Sequence, residues 1–137
     1  MIHSTEFLKI AHEAKSRVNE CDVAGARERV AGGAVLIDVR EDNEFDAGHA
    51  AGAKHMSRGI IERDIVQTFP EKETELVLYC GGGFRSALSA DMLQKMGYTN
   101  VWSMDGGWAA WQEASVGRIV FEVFRVLHHG TSNTRLA

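Results

Sequence analysis

The chain is expected to fold as an α/β domain on a mainly parallel sheet, and three observations lead there. Two short runs, AVLIDV (34–39) and LVLYC (76–80), are apolar almost throughout, as strands covered on both faces must be. Segments of helical spacing stand between the strand-like runs, and such alternation is the pattern of a parallel sheet with helical crossovers. Glycine, with 14 occurrences against a single proline, closes most of the segments. At 137 residues the chain suits one hydrophobic core.

The elements follow in order. Behind Ser4–Thr5, the stretch from Glu6 to Lys15 carries Phe7, Ile10, Ala11 and Ala14 at helical spacing. SRVNE (16–20) is a candidate edge strand. Asp22 can cap a helix running to about Val30 and closed by Gly32–Gly33, with Cys21 placed at the helix start. The strand at 34–39 ends in Asp38-Val39-Arg40, AKHM (53–56) is a short strand, and 59–69 fits a helix. After the strand at 76–80, RSALSADMLQKMG (85–97) is a helix. Its apolar side holds Ala87, Leu88, Met92, Leu93 and Met96, with Gly97 past its end. NVWSM (100–104) is the next strand, and Gly106, Gly107, Trp108 and Trp111 form a tight turn and anchor a helix over 106–114.

The last stretch, 117–130, sets Arg118, Glu122, Arg125 and His129 on one polar stripe of a helix, with Ile119, Val120, Phe121, Val123, Phe124, Val126 and Leu127 around the rest. The pair His128–His129 before Gly130 suits a helix end. The chain thus divides into an N-terminal helix (1–16), a central domain (17–116) and an amphipathic C-terminal extension with its tail (117–137). The apolar face of 117–130 is expected to pack on its own domain, with a homodimer through it as the alternative. A membrane-surface helix would want more Lys and Arg on the polar face.

A net charge of −4 argues against nucleic acid as a partner. No apolar run approaches a bilayer span, and the start MIHSTEFLKIAHEAK lacks the basic-then-apolar order of a signal peptide. The cytoplasm is the expected compartment, and there the two cysteines, Cys21 and Cys80, stay reduced and unbridged. Without a CxxC, zinc-ribbon and thioredoxin-type sites have no support. His49, His55 and the His128–His129 pair have no metal-ligand spacing, so neither metal nor cofactor is expected.

The chemistry concentrates at YCGGGFRS (79–86). Cys80 closes a buried strand, and ligands of open parallel sheets sit beyond the carboxyl ends of the strands. Three consecutive glycines are costly to order, and they let backbone N–H groups approach the sulfur with no Cβ in the way. Such N–H groups form an anion-binding nest, and the helix that follows adds positive partial charge at its N-terminus. Arg85 adds a permanent charge, and Ser86 a further donor. Together they favour a nucleophilic sulfur. The plain alternative is a core cysteine before a flexible turn.

CGGGFRS resembles the C-x-x-G-x-R-S active-site loop of the rhodanese sulfurtransferases. LIDVRE (36–41) is similar to a strand motif of that family, EFDAGHAAGAKHMSRG (44–59) to its E-x-x-x-G-H-I-x-G-A segment, and GYTNVWSMDGGWAAW (97–111) to its G-Y-x-x-V-x-x-L-x-G-G-x-x-x-W segment. The likeness covers about 18–114, with Ala51 where the family commonly has Pro. It implies a five-stranded parallel sheet flanked by helices and a sulfurtransferase in which Cys80 becomes a persulfide cradled by Gly81, Gly82, Gly83, Phe84, Arg85 and Ser86. The sulfur donor would be thiosulfate or an organic persulfide, and the acceptor cyanide or a thiol, including a protein thiol. Asp38 and Arg40 would order the loop or form a structural ion pair. Glu44 and His49 would tie loops together. The alternatives are a non-catalytic module that binds a partner or senses redox state, and a phosphatase or arsenate reductase. Cys80 to Arg85 spans six residues, one fewer than in phosphatases of similar fold. Because Arg85 is the only fixed cation in the loop, modest affinity for dianionic thiosulfate is expected.

Overall fold

The computed structural model describes the backbone of residues 2–136 and the side chains of 2–117 and 122–128. In chain order it runs α1 (Thr5–Arg17), β1 (Asn19–Cys21), α2 (Val23–Ala31), β2 (Val35–Asp38), α3 (Asp42–Ala47) and β3 (Lys54–His55). It continues through α4 (Ile61–Thr68), β4 (Leu76–Tyr79), α5 (Phe84–Lys95), β5 (Val101–Met104) and α6 (Gly107–Leu136). The five strands form one sheet in the order β1-β5-β4-β2-β3, and every pairing is parallel. The α/β fold with its five-stranded sheet is therefore present, and helices cover both faces.

Strand periodicity sorts the two cores. Successive side chains of a strand point to opposite faces. Leu76, Leu78 and Cys80 pack with Ile61 and Ile65 of α4 and Ala90 and Leu93 of α5. Val77 and Tyr79 pack on the other face with Val23 and Ala26 of α2 and Trp111 of α6. Helix α1 lies on α5 through Ala14, Ala87 and Leu88, and its Arg17 pairs with the nearly buried Asp91 at 2.7 Å. After β2 the chain moves to β3 on one side, and after β4 it moves to β5 on the other. The carboxyl ends of β2 and β4 are thus a topological switch point, where such sheets open a crevice.

Local reading and structure differ in several places. Cys21 ends β1, and Asp22 behind it caps α2 by accepting from the Gly25 N–H at 2.8 Å. Helix α3 has no apolar periodicity to announce it; it is short, and the Glu41 N–H donates to the Glu44 carboxylate at 3.2 Å across its first turn. Ile10 and Met92, both expected on apolar faces, are 47% and 40% exposed. In α5 the burial reaches Ser86, Ser89 and Asp91 as well; Ser86 meets Ser103 of β5, and Asp91 meets Arg17 of α1. The separate helices expected over 106–114 and 117–130 are one helix, and α6 passes Gly130 without ending. Along it Val123, Phe124, Val126 and Leu127 are exposed. The side chains of Arg118, Ile119, Val120, Phe121 and His129 lie outside the described residues. Among the described residues no helix is long and apolar enough to cross a membrane.

The start of α6 meets the carboxyl end of β4. Trp108 N–H donates to the Cys80 carbonyl at 2.7 Å, and Ala109 N–H to the Gly81 carbonyl at 3.2 Å. Gly107 makes that approach possible. Its φ is +53°, and a Cβ there would stand 2.4 Å from the Cys80 carbonyl oxygen. Gly107→Ala should therefore destabilise the fold by roughly 2–4 kcal/mol, combining left-handed strain with a backbone clash. Gly52 has φ +81° with nothing within 4 Å of a Cβ, so Gly52→Ala should cost only about 1–2 kcal/mol. Urea unfolding midpoints of the two variants measure the difference.

Candidate active site

Cys80 follows β4 on the α4/α5 side of the sheet, 1% exposed, yet it lines an open cavity of about 600 Å³. The three glycines behind it have different physical roles. Gly83 takes φ +115°, caps α5, and points its N–H at Cys80 Sγ, 3.1 Å away. It supplies the only backbone hydrogen bond to that sulfur found among the described residues. At Gly81 a Cβ would come within 3.2 Å of Arg85 Nη2, so the guanidinium lies close over the loop. At Gly82 a Cβ would meet nothing within 4 Å; packing does not demand glycine there, and the position faces the opening.

The sulfur has a second polar neighbour. The Cys80 thiol donates to Ser86 Oγ at 3.5 Å. Ser86 Oγ is held 2.8 Å from Ser103 Oγ and donates to the Gly83 carbonyl at 3.3 Å. Both serines are fully buried. Helix α5 begins at the loop, so its N-terminal partial charge sits beside Sγ. The Gly83 N–H and the helix terminus are the two groups that present positive partial charge to that sulfur.

Arg85 is expected to add a permanent charge to the loop, and the structure engages that charge in an ion pair. Its Nη1 and Nη2 donate to Glu44 Oε1 and Oε2 at 2.7 and 3.1 Å, a bidentate clamp between α5 and α3. The Arg85 hydrogen bond holds the Glu44 carboxyl below the usual range, against an opposing push from burial. Arg85 is in turn held above its ordinary value, chiefly by Glu44. The loop cation is thus locally compensated.

Asp38 and Arg40 form a buried ion pair at 2.8 Å, away from the cavity lining. Arg40 also donates to the Gly48 carbonyl at 2.7 Å and lies 5.2 Å from the Trp108 ring centroid. The pair joins the end of β2 to the α3–β3 loop and to α6. Nearby, the Tyr79 hydroxyl accepts from the Ala50 N–H at 3.1 Å, and burial with Asp38 beside it pushes that phenol far above its ordinary value. His49 is exposed, stacks on Phe45 at 3.6 Å, and stands outside the cavity lining. Cys21 and Cys80 are both free thiols, and burial pushes the Cys21 thiol up.

The cavity also holds residues that the sequence does not mark as part of a site. His3 and Phe7 of the N-terminal segment join Phe84 in its lining, and Arg58 joins from the loop after β3. His3 meets the Phe84 ring edge-on at 5.3 Å and Phe7 at 6.2 Å. Ser103, which holds Ser86, is likewise new. Arg58 carried one usable signal: it lies just past a short strand, at the edge where parallel sheets place ligands. His3 and Phe7 carried none, since only the packing of α1 on α5 brings them in.

Known proteins resemble this arrangement. The family model described as rhodanese-like domain matches residues 11–114. The thiosulfate sulfurtransferase GlpE of Pseudoalteromonas translucida is 32% identical over 80 residues, covering 58% of this chain and 74% of that protein. A solved protein of unknown function from Rhodopseudomonas palustris, described as a possible tyrosine phosphatase, superposes with a TM-score of 0.73 at 30% identity, over 84% of this chain and 96% of its own. The human single-domain sulfurtransferase superposes with a TM-score of 0.63 at 26% identity, over 70% and 96%.

The clamp has a testable pH signature. A carboxyl lowered in the folded state stabilises the fold above its unfolded value, near 4.3 for Glu, and loses that contribution as pH falls through the folded value. Carboxyl NMR should therefore show Glu44 titrating below about 4.3, with Arg85→Gln bringing it back up. A Glu44 titration unmoved by Arg85→Gln would contradict the clamp.

Proposed function

The chain belongs to the rhodanese-like domain family, and from that premise we propose that it is a sulfurtransferase working through a persulfide on Cys80. The observation that carries the reading is the placement of Cys80 Sγ at the cavity wall, with the Gly83 N–H aimed at it from 3.1 Å. In the first half-reaction the Cys80 thiolate attacks the outer sulfur of thiosulfate. A Cys80–sulfur bond forms, the donor's S–S bond breaks, and sulfite leaves with the electron pair. An organic persulfide reacts in the same way and releases its thiolate. In the second half-reaction cyanide or a thiol, including a protein thiol, takes the outer sulfur and returns Cys80 to the thiolate. Two half-reactions on one nucleophile give ping-pong kinetics.

Gly81 to Ser86 surround the transferred sulfur, with the α5 N-terminus supplying positive potential for the persulfide anion. Arg85 acts through the loop: its clamp to Glu44 fixes the turn from which Gly83 donates. Asp38, Arg40 and His49 support the surrounding loops without touching the sulfur. The setting we infer is the reducing cytoplasm, where both thiols stay free.

The phosphatase reading draws on one structural neighbour's description. The tied Arg85 favours sulfur transfer over it, because a phosphate would need that guanidinium as its own bidentate partner. After incubation with thiosulfate, intact mass spectrometry should show one added sulfur on the wild-type chain and on Cys21→Ser, and none on Cys80→Ser. Gly83→Ala should slow sulfur uptake roughly a hundredfold. Phosphate release from an aryl phosphate without sulfur uptake would reverse the assignment, and uptake from neither thiosulfate nor an organic persulfide would leave a binding module.

A further inference from the structure

The cavity is larger and more aromatic than a small inorganic donor needs. Its volume of about 600 Å³ falls in the range that accepts organic ligands, whereas thiosulfate fills only a fraction of it. One wall is built by α1 and α5. His3 and Phe7 pack at 5.0 Å between ring centroids, and both stand against Phe84. On the far side of Phe84, His12 lies 5.5 Å from its ring and the Lys15 ammonium 5.7 Å. His3 and Phe7 precede residue 11, where the family match begins, so this wall is built partly from residues outside the matched region.

Charge points the same way. Among the described lining residues the fixed charges are Arg58, Arg85 and Glu44. Arg85 and Glu44 neutralise each other. Arg58 is exposed and makes no ion pair among the described residues, so it is the cavity's one uncompensated cation. Its backbone N–H binds the Val39 carbonyl beside β2, while α1 is tied by Lys15 to Glu20 of β1 and to Asp105 after β5. The cation and the aromatic wall therefore approach Cys80 from opposite halves of the sheet.

We infer that the site selects sulfur donors built from one anionic head and an apolar or aromatic arm, with Arg58 meeting the head and Phe7, His3 and Phe84 meeting the arm. The inference rests on the sulfurtransferase reading and names the substrate class for it. An aryl thiosulfonate has this shape. Cys80 thiolate would take its terminal sulfur, the S–S bond to the sulfonyl group would break, and the arylsulfinate would leave with the electron pair.

The test compares three donors on the full chain with cyanide as acceptor: benzenethiosulfonate, methanethiosulfonate and thiosulfate. Benzenethiosulfonate should exceed methanethiosulfonate in kcat/KM by about tenfold or more, the scale of burying one aromatic ring. Phe7→Ala should cut that ratio severalfold, and Phe7→Leu, which keeps apolar volume, should retain most of it. Arg58→Gln should raise KM for benzenethiosulfonate. Should Phe7→Ala fail to fold, competitive inhibition of the wild-type chain by benzenesulfonate at concentrations where methanesulfonate has no effect supplies the same comparison. Equal kcat/KM for the two thiosulfonates, a ratio untouched in folded Phe7→Ala, or benzenesulfonate inhibiting no better than methanesulfonate would overturn the selectivity while leaving sulfur transfer standing. No loading of Cys80 by any donor would overturn both.

Discussion

The carbonyl oxygens of Cys80 and Gly81 are bound by the first N–H groups of α6, and the site depends on that clamp. A glycine-rich turn at a strand end has many conformations open to it. Two hydrogen bonds from a helix terminus remove most of them. The contact also satisfies N–H groups of α6 that no intrahelical carbonyl can reach. Only glycine at position 107 allows the two backbones to come so close. With the near end of the loop fixed, Gly83 can enter the left-handed region, start α5, and direct one N–H at the sulfur.

Electrostatics around the loop is divided between pairs that close and one group left open. Asp38–Arg40 closes locally at the end of β2, Arg85–Glu44 bridges α5 and α3, and the charges are consumed in doing so. The first is fully buried, where an ion pair serves chiefly to fix geometry, since desolvation offsets its attraction. The second is about one-third exposed on each side chain, so solvent screens it and its value lies in orientation. What remains for a ligand is Arg58, the α5 terminus and a wall of rings. That combination reads a ligand's shape as much as its charge.

The legible parts of this protein are those whose causes are local. Buried strands, the Asp22 cap, the cysteine loop and the turn at Gly106–Gly107 each carry their reason within a few residues. Helix α3 was missed because it is too short for periodicity to register. Met92 was misplaced because helical spacing finds an apolar face without knowing what covers the helix. The largest gaps are long-range. The Arg85–Glu44 clamp joins residues 41 apart in sequence, and the wall at Phe84 needs α1 to fold back over α5. A guanidinium beside a cysteine reads locally as a free cation, and only the tertiary fold shows where its charge goes. Of the three glycines, sequence treats all alike, whereas backbone geometry separates one conformational requirement, one close contact and one open position.

Burial of the cysteine has a consequence for traffic through the site. Cys80 lines the cavity with only 1% of its surface exposed, so a reagent finds little of that residue to reach. Sulfur on a slender tip would reach so covered an atom more readily than sulfur hemmed in by branching. A persulfide on Cys80, as proposed, would set its outer sulfur one bond beyond the thiolate, within easier reach of an acceptor.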